Sequence, residues 1–417
     1  MTGTGDRFWA RLALVALLAL TVRVGYIGVA KWSDDVEFSD ALYYATQAQV
    51  LAEGDGFEHR EHDRPAADHA PLTQISQAPT AVLFGRSVLA QRLVQALYGT
   101  LAVVAIALLA RRVSGDDGVA LWAGGLAAVY PNLWANDAVI MAETLTALLV
   151  AALLSAVYAF VDQPTGRRAA LVGALAGVAA LSRAELALLG VLAFVPLALR
   201  LSLPLRDRLG HLALAGVAGV AVLAPWTVYN AGRFEEPVLI STNDGLTLVG
   251  ANCDQQYDGP DPGLWDIACL PPGSFSEAQR QDQSVVNADY RHLAVEYARD
   301  NLGDLPRVAA IRVARTWSLY DPASMIRFNE NEGREPPVGW AGFVSFWLLV
   351  PLGLAGGWLL ADRGRTVWPL IAPLVVVTVI SAAFYGLVRF RVPAETTLVV
   401  GAAVALAELW SRRSVRA

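Results

Sequence analysis

Long apolar runs broken by short charged stretches set the pattern of this chain. At about twenty residues per bilayer crossing, the runs fall at 8–30, 88–110, 118–134, 138–160, 168–182, 186–200, 210–230, 340–360, 367–387 and 393–410. This pattern predicts an all-α polytopic membrane protein of about ten transmembrane helices. Two polar stretches, 32–79 and 232–339, interrupt it as sizeable extracytoplasmic loops. The expected organisation is a membrane module over 1–231 containing the first outer loop, a loop subdomain over 232–339, and C-terminal transmembrane helices over 340–417.

The arrangement of basic residues orients these spans. Arg7 and Arg11, Arg111 and Arg112, Arg167 and Arg168, Arg200 with Arg206 and Arg208, Arg363 and Arg365, and Arg412 with Arg413 and Arg416 all fall on one side if the spans number ten. Basic residues in short loops stay cytoplasmic, so both termini are expected inside the plasma membrane and the two large loops outside. The helices at 168–182 and 186–200 are separated only by Ser182-Arg183-Ala184-Glu185; a tight outer turn there keeps Arg167 and Arg200 on the same face. The run after Arg7 is too long for a signal-peptide core and lacks a small-residue cleavage site, so it reads as a retained first helix.

Composition agrees: 55% of the residues are hydrophobic and 17% charged, against the roughly 25% charged of a soluble domain. The net charge of −6 argues against a nucleic-acid partner, although the arrangement of the charges says more than their sum. Cys253 and Cys269, the only cysteines, both lie in the second outer loop. An oxidising compartment permits a disulfide between them, with two unpaired thiols as the alternative. Turn signals at Asn243-Asp244-Gly245, Gly259-Pro260 and Pro271-Pro272-Gly273 divide that loop, and Ser276 to Arg299 has helical character, starting at Ser276-Glu277 and ending at Asn301-Leu302-Gly303.

Candidate chemistry gathers in the first loop. Ser39 can cap a helix that Gly54-Asp55-Gly56 ends; along it Asp40, Tyr43, Tyr44 and Gln47 are spaced three, four and seven apart and share a face. The same pattern also suits an interfacial helix with an acid in its first turn. Asp34, Asp35 and Glu37 precede it, and His59, His62 and His69 follow, spaced too irregularly to define a metal site, although a divalent ion held by these acids and histidines stays open. Ionisable groups near a span are expensive and mark function by default. Asp137 opens the fourth span at its outer end with Glu143 about two turns deeper; Arg183 and Glu185 occupy the outer turn; Arg389 and Arg391 flank Phe390 before the last span. Asp137 can also be a helix cap and Glu143 a structural partner. The arginine pair breaks the positive-inside trend, which favours an anionic ligand. Gly173 and Gly177 suit close helix packing.

Several segments together resemble a known superfamily. They are Ser39-Asp40-Ala41-Leu42-Tyr43-Tyr44, Leu51-Ala52-Glu53-Gly54-Asp55-Gly56-Phe57, Ala70-Pro71-Leu72, Asn136-Asp137-Ala138 with Met141-Ala142-Glu143-Thr144, Leu181-Ser182-Arg183-Ala184-Glu185, Ala224-Pro225-Trp226-Thr227, Ser241-Thr242-Asn243-Asp244-Gly245, Gly250-Ala251-Asn252-Cys253 and Arg389-Phe390-Arg391-Val392-Pro393-Ala394-Glu395. In this order the chain is similar to the GT-C membrane glycosyltransferases, which include dolichyl-phosphate-mannose protein mannosyltransferases and bacterial aminoarabinose transferase, and within them to actinobacterial members. Ala70 and Ala184 stand where that pattern has proline, which alters local backbone shape without removing a chemical group.

The resemblance implies a glycosyltransferase, hexosyl or pentosyl, that draws on a polyprenyl-phosphate-sugar donor in the bilayer. The acceptor would be an envelope glycan, lipid or protein hydroxyl, and the active site would be extracytoplasmic. Asp40 matches the acidic residue that acts as base, with Asp34 and Asp35 as competitors. Tyr43, Tyr44, His69, Asp137, Glu143, Arg183, Glu185, Arg389 and Arg391 are the expected donor- and acceptor-binding residues. No cofactor is implied with certainty. Two other classes compete. A carrier or flippase for a polyprenyl-linked sugar would use the same arginines, but ordinarily shows internal repeats and broken midplane helices; no repeat is visible here. A non-catalytic partner in an envelope complex would leave Asp40 replaceable.

Overall fold

The computed structural model describes residues 3–33, 36, 39–59, 64–271 and 282–414. Asp34, Asp35, Glu37, His62, Arg416, the Pro272-Gly273 turn and the Ser276-Glu277 helix start lie outside the described residues, as does the Ser39 side chain.

The chain is an α-helical polytopic membrane protein. Its longer helices are α1 (Gly3–Tyr26, running on as a π-helical turn over Ile27–Lys31), α2 (Ser39–Glu53), α3 (Leu72–Phe84), α4 (Val88–Ser114), α5 (Asp117–Val129), α6 (Glu143–Asp162), α7 (Gly166–Ser182), α8 (Leu186–Arg200) and α9 (Leu205–Ala231). They continue as α10 (Gln283–Asp300), α11 (Leu305–Thr316), α12 (Pro322–Asn331), α13 (Pro336–Asp362), α14 (Trp368–Ala383) and α15 (Val392–Ser414). Among the described residues six helices are long and apolar enough to cross a bilayer: Asp6–Lys31, Val88–Ser114, Glu143–Asp162, Leu205–Ala231, Pro336–Asp362 and Val388–Arg412. The apolar helices Asp117–Val129, Leu186–Arg200 and Trp368–Ala383 are shorter.

Capping chemistry sets many of the ends. The Ser87 hydroxyl accepts from the Ala90 amide at the start of α4, and Gly115 closes that helix in the left-handed region that only glycine adopts freely. Asp116 and Thr165 cap α5 and α7, and Asp282 caps α10. α15 and α6 form the interior and are mostly buried, whereas α9 turns most of its side chains outward. Exposed Leu14, Leu17, Val217, Val220, Leu348 and Trp358 make the perimeter apolar, as a bilayer-facing surface requires.

The two expected spans over 118–134 and 138–160 are both shorter than their apolar runs. α5 stops at Val129, a single turn spans Pro131–Trp134, a 3₁₀ turn holds Asn136–Ala138, Ile140 adopts φ +45°, and α6 starts only at Glu143. Proline removes a backbone donor, and the polar groups of this break find buried partners. The Arg23 side chain donates to Asp137, Asn132 Nδ2 to Glu395 Oε1 at 2.8 Å, and Arg334 Nη2 to Asn136 Oδ1 at 2.8 Å. Asp137 therefore lies in an irregular segment rather than at the start of a helix, and Glu143 is the first residue of α6 rather than two turns inside it.

The basic termini gather at one end of the bundle. Arg111 lies over the Phe8 ring at 4.1 Å, Arg112 reaches Asp162 at 3.1 Å, Arg363 reaches Glu408 at 2.6 Å, and Arg365 Nη2 donates to the Ser114 carbonyl at 3.4 Å. The two polar stretches meet each other: the Thr242 amide donates to the Ala67 carbonyl at 2.8 Å. A short antiparallel pairing of Glu58–His59 with Arg64–Pro65 shapes the first stretch, and a Cys253–Cys269 disulfide closes a turn of the second.

Candidate active site

Asp40 occupies the first turn of α2, and the helix places Tyr43, Tyr44 and Gln47 beside it. Gly54, at φ +93°, turns the chain out of the helix, and the short strand pair returns it to His69. The His69 ring packs 5.0 Å from that of Tyr43 and 5.1 Å from that of Tyr44. Its Nε2 stands 3.5 Å from Asp40 Oδ1, and its Nδ1 lies 3.4 Å from Asn243 of the second polar stretch.

Two arginines from distant elements complete the cluster. Arg389 sits in the 3₁₀ turn Val388–Arg391 that leads into α15, and its Nη1 donates to Asp40 Oδ2 at 2.8 Å. The same guanidinium faces Glu143 Oε1 at 3.8 Å, and its Nε faces Glu332 Oε1 at 3.2 Å. Arg183, at the turn between α7 and α8, shares Glu143 through Nη1 and donates from Nε to Glu185 Oε1 at 2.6 Å. Phe390 lies under both cations, 5.0 Å from Arg183 and 5.7 Å from Arg389. Glu143 is 1% exposed and its Oε2 has no hydrogen-bond partner, whereas Asp40 keeps 31% of its side chain accessible.

The electrostatics follow from this geometry. Burial pushes the Asp40 carboxyl up, but the Arg389, His69 and Arg183 charges outweigh it and hold Asp40 well below the usual carboxylate range. Asp68 behaves alike: burial raises it, and His59, at 2.7 Å, together with His69 and Gln283 lowers it further. Burial, then Asp68, raises the Tyr43 phenol; burial, Asp40 and Glu143 raise that of Tyr44. Both tyrosines therefore stay neutral hydrogen-bonding groups at ordinary pH.

Asp40, Tyr43, Tyr44, His69, Glu143, Arg183, Glu185 and Arg389 are thus brought together. Asp137 and Arg391 are not. Asp137 is buried against Arg23 and Thr144. Arg391 is fully buried, bonded to Glu395 Oε1 at 2.7 Å, the Thr316 carbonyl at 3.0 Å and Ser318 Oγ at 2.7 Å, with Phe346 under its guanidinium. Sequence analysis missed Glu332 and Asn243. Glu332 lies in Asn329-Glu330-Asn331-Glu332-Gly333-Arg334-Glu335, a charged run that reads as a solvated loop; its one distinguishing signal is its position just before a span. Among the described residues no group of three or more His, Cys, Asp or Glu side chains is gathered as a metal cage.

The arrangement offers a partly exposed carboxylate, two cations that could accept an anion, and aromatic and amide walls. Residues 68–229 match the family model described as dolichyl-phosphate-mannose-protein mannosyltransferase, in keeping with the GT-C likeness carried by the motifs. No curated protein matches the chain. Among solved structures, ArnT from Cupriavidus metallidurans bound to undecaprenyl phosphate aligns over 99% of this chain and 79% of its own, at 19% identity and a TM-score of 0.44. The apo form of that ArnT aligns over 97% and 78%, at 18% identity and a TM-score of 0.43.

Proposed function

We propose that this chain, whose residues 68–229 match the mannosyltransferase family model, is a GT-C membrane glycosyltransferase that moves a sugar from a polyprenyl-phosphate donor to an extracytoplasmic hydroxyl by a single inverting displacement. The observation that carries this reading is the meeting of Asp40 with Arg389, Arg183 and His69 in one partly open cluster.

In the resting cluster Asp40 is too strongly paired to be a good base. A donor phosphate is an anion that competes for the same Arg389 Nη edge, and charge-assisted bonds from arginine to phosphate are strong. As the phosphate takes that edge, Asp40 loses its main stabilising partner and gains basicity. The acceptor O–H bond then breaks with its proton going to Asp40, the oxygen attacks the anomeric carbon, and the bond from that carbon to the phosphate oxygen breaks with its electron pair on the leaving polyprenyl phosphate. Arg183 and Arg389 offset the charge that develops there, where preorganised donors in a partly dry site count most. Tyr43, Tyr44 and His69 wall the side from which the acceptor reaches Asp40. General-base assistance is worth about a hundred- to ten-thousandfold in rate.

The test is label transfer by the purified protein in lipid, using a panel of labelled polyprenyl-phosphate sugars and envelope extract, with wild type beside Asp40→Asn. Transfer by wild type and its loss in the variant supports the reading. Undiminished transfer by Asp40→Asn removes Asp40 as base, and binding or translocation of a donor with no transfer by either protein supports a carrier instead.

A further inference from the structure

We infer that Glu332, which the second polar stretch inserts beside the cluster, is the positioning residue that holds Arg389 in place while its other edge changes partners. The inference rests on the exchange of Asp40 for a donor phosphate proposed above. The two contacts use different edges of one guanidinium: Nη1 donates to Asp40 at 2.8 Å, whereas Nε lies 3.2 Å from Glu332 Oε1 as an ion pair without hydrogen-bond alignment. A partner on Nε leaves the Nη edge free to turn over.

Glu332 is itself fixed. Its second oxygen accepts from Arg334 Nη1 at 2.6 Å, and the remaining nitrogens of Arg334 fork onto Asn136 Oδ1 at 3.1 and 2.8 Å. Asn136 in turn donates to the Asn132 carbonyl at 2.7 Å. The side chains of Glu332 and Arg334 are each 9% exposed. Gly333 between them adopts φ +84°, a conformation that strains any residue with a Cβ.

The anchor matters because Arg389 has somewhere else to go. A cavity of about 40 Å³ adjoins it, lined among others by Arg334, Asn136, Asn329, Arg391 and Glu395. Asn329 Oδ1 and Glu395 Oε2 are buried there without hydrogen-bond partners. Both are acceptors that a released guanidinium would satisfy, although the charge of Glu395 is already offset by Arg391 on its other oxygen. Without the Glu332 carboxylate, Arg389 is drawn toward that cavity and away from the donor phosphate.

A double-mutant cycle in the transfer assay tests this. Glu332→Gln should lower kcat by about tenfold to a hundredfold, the scale of a misplacement of about 1 Å, and raise the donor KM, with some loss of melting temperature because Arg334 also loses its nearly buried partner. In an Arg389→Gln background the same change should cost almost nothing more, because the group it positions is gone. Glu330→Gln, on the exposed face two residues earlier, should match wild type. An unchanged kcat in Glu332→Gln, or the same loss repeated in the Arg389→Gln background, overturns the inference. If the Gln variant does not fold, Glu332→Asp keeps the charge, shifts it by one methylene and enters the same cycle. Transfer abolished by Asp40→Asn but indifferent to Glu332 would sink the anchor alone; transfer indifferent to Asp40 would sink the underlying function.

Discussion

The carboxylate proposed as base, Asp40, titrates far below the usual carboxylate range because of its partners. Asp40 and Asp68 both titrate low because cations face them. A depressed folded-state pKa contributes stability that is fully present above the unfolded value of about 3.9 and is lost as pH falls through the folded value. The melting temperature of the purified protein should therefore hold on acidification to about pH 4 and fall below it. Asp68→Asn should melt lower than wild type at neutral pH, because His59 and Gln283 lose a charged partner, and should show a smaller acid-side fall. An acid-side fall as steep as that of wild type would detach Asp68 from this account. The pairing of Asp40 with two tyrosines was legible from helical spacing alone, and Arg389 from its departure from the positive-inside trend. The Glu332 contact was not, because nothing local to a charged run names its partner.

Elements in this chain are set by two local devices, helix breaks and small residues. The break at 130–142 carries polar groups inward to partners on α1 and α15 and ahead of α13, and non-helical backbone at membrane depth is tolerated where protein buries it. An apolar run of the right length could not reveal this, since Leu133, Ala138 and Ile140 are as apolar as a helix would require. The glycines were more transparent. A Cβ on Gly173 of α7 would fall on the Ala215 carbonyl of α9, so the two backbones touch there. Overpacking of this kind costs about 1–3 kcal/mol. Gly173→Ala should lower the thermal midpoint in detergent accordingly, whereas Gly216→Ala, with open space around its added methyl, should not. Equal midpoints for the two variants would mean that α7 and α9 separate at little cost.

Across the whole molecule the basic ends collect at one end of the bundle and Asp40, Arg183, Arg389 and Glu332 meet in another cluster. Were the basic loops cytoplasmic, as the positive-inside trend expects, the cluster would face outward and both termini in. A membrane-impermeant thiol label should react with Ala184→Cys in intact cells, and with Ser202→Cys only after permeabilisation; the reverse pattern would invert the topology. The second polar stretch reaches the cluster, to which it supplies Asn243 and Glu332. Hydropathy, charge bias and helical spacing are properties of neighbours along the chain, so the sequence by itself determined the membrane class, the expected orientation and the face that carries Asp40. Which acid meets which arginine depends on how helices cross, and Asp40 and Arg389 stand 349 residues apart. Only tertiary packing decided that pairing, the burial of Arg391 against Glu395 and the support of Arg389 by Glu332, because a charge taken out of water must find its partner in space wherever the chain brings one.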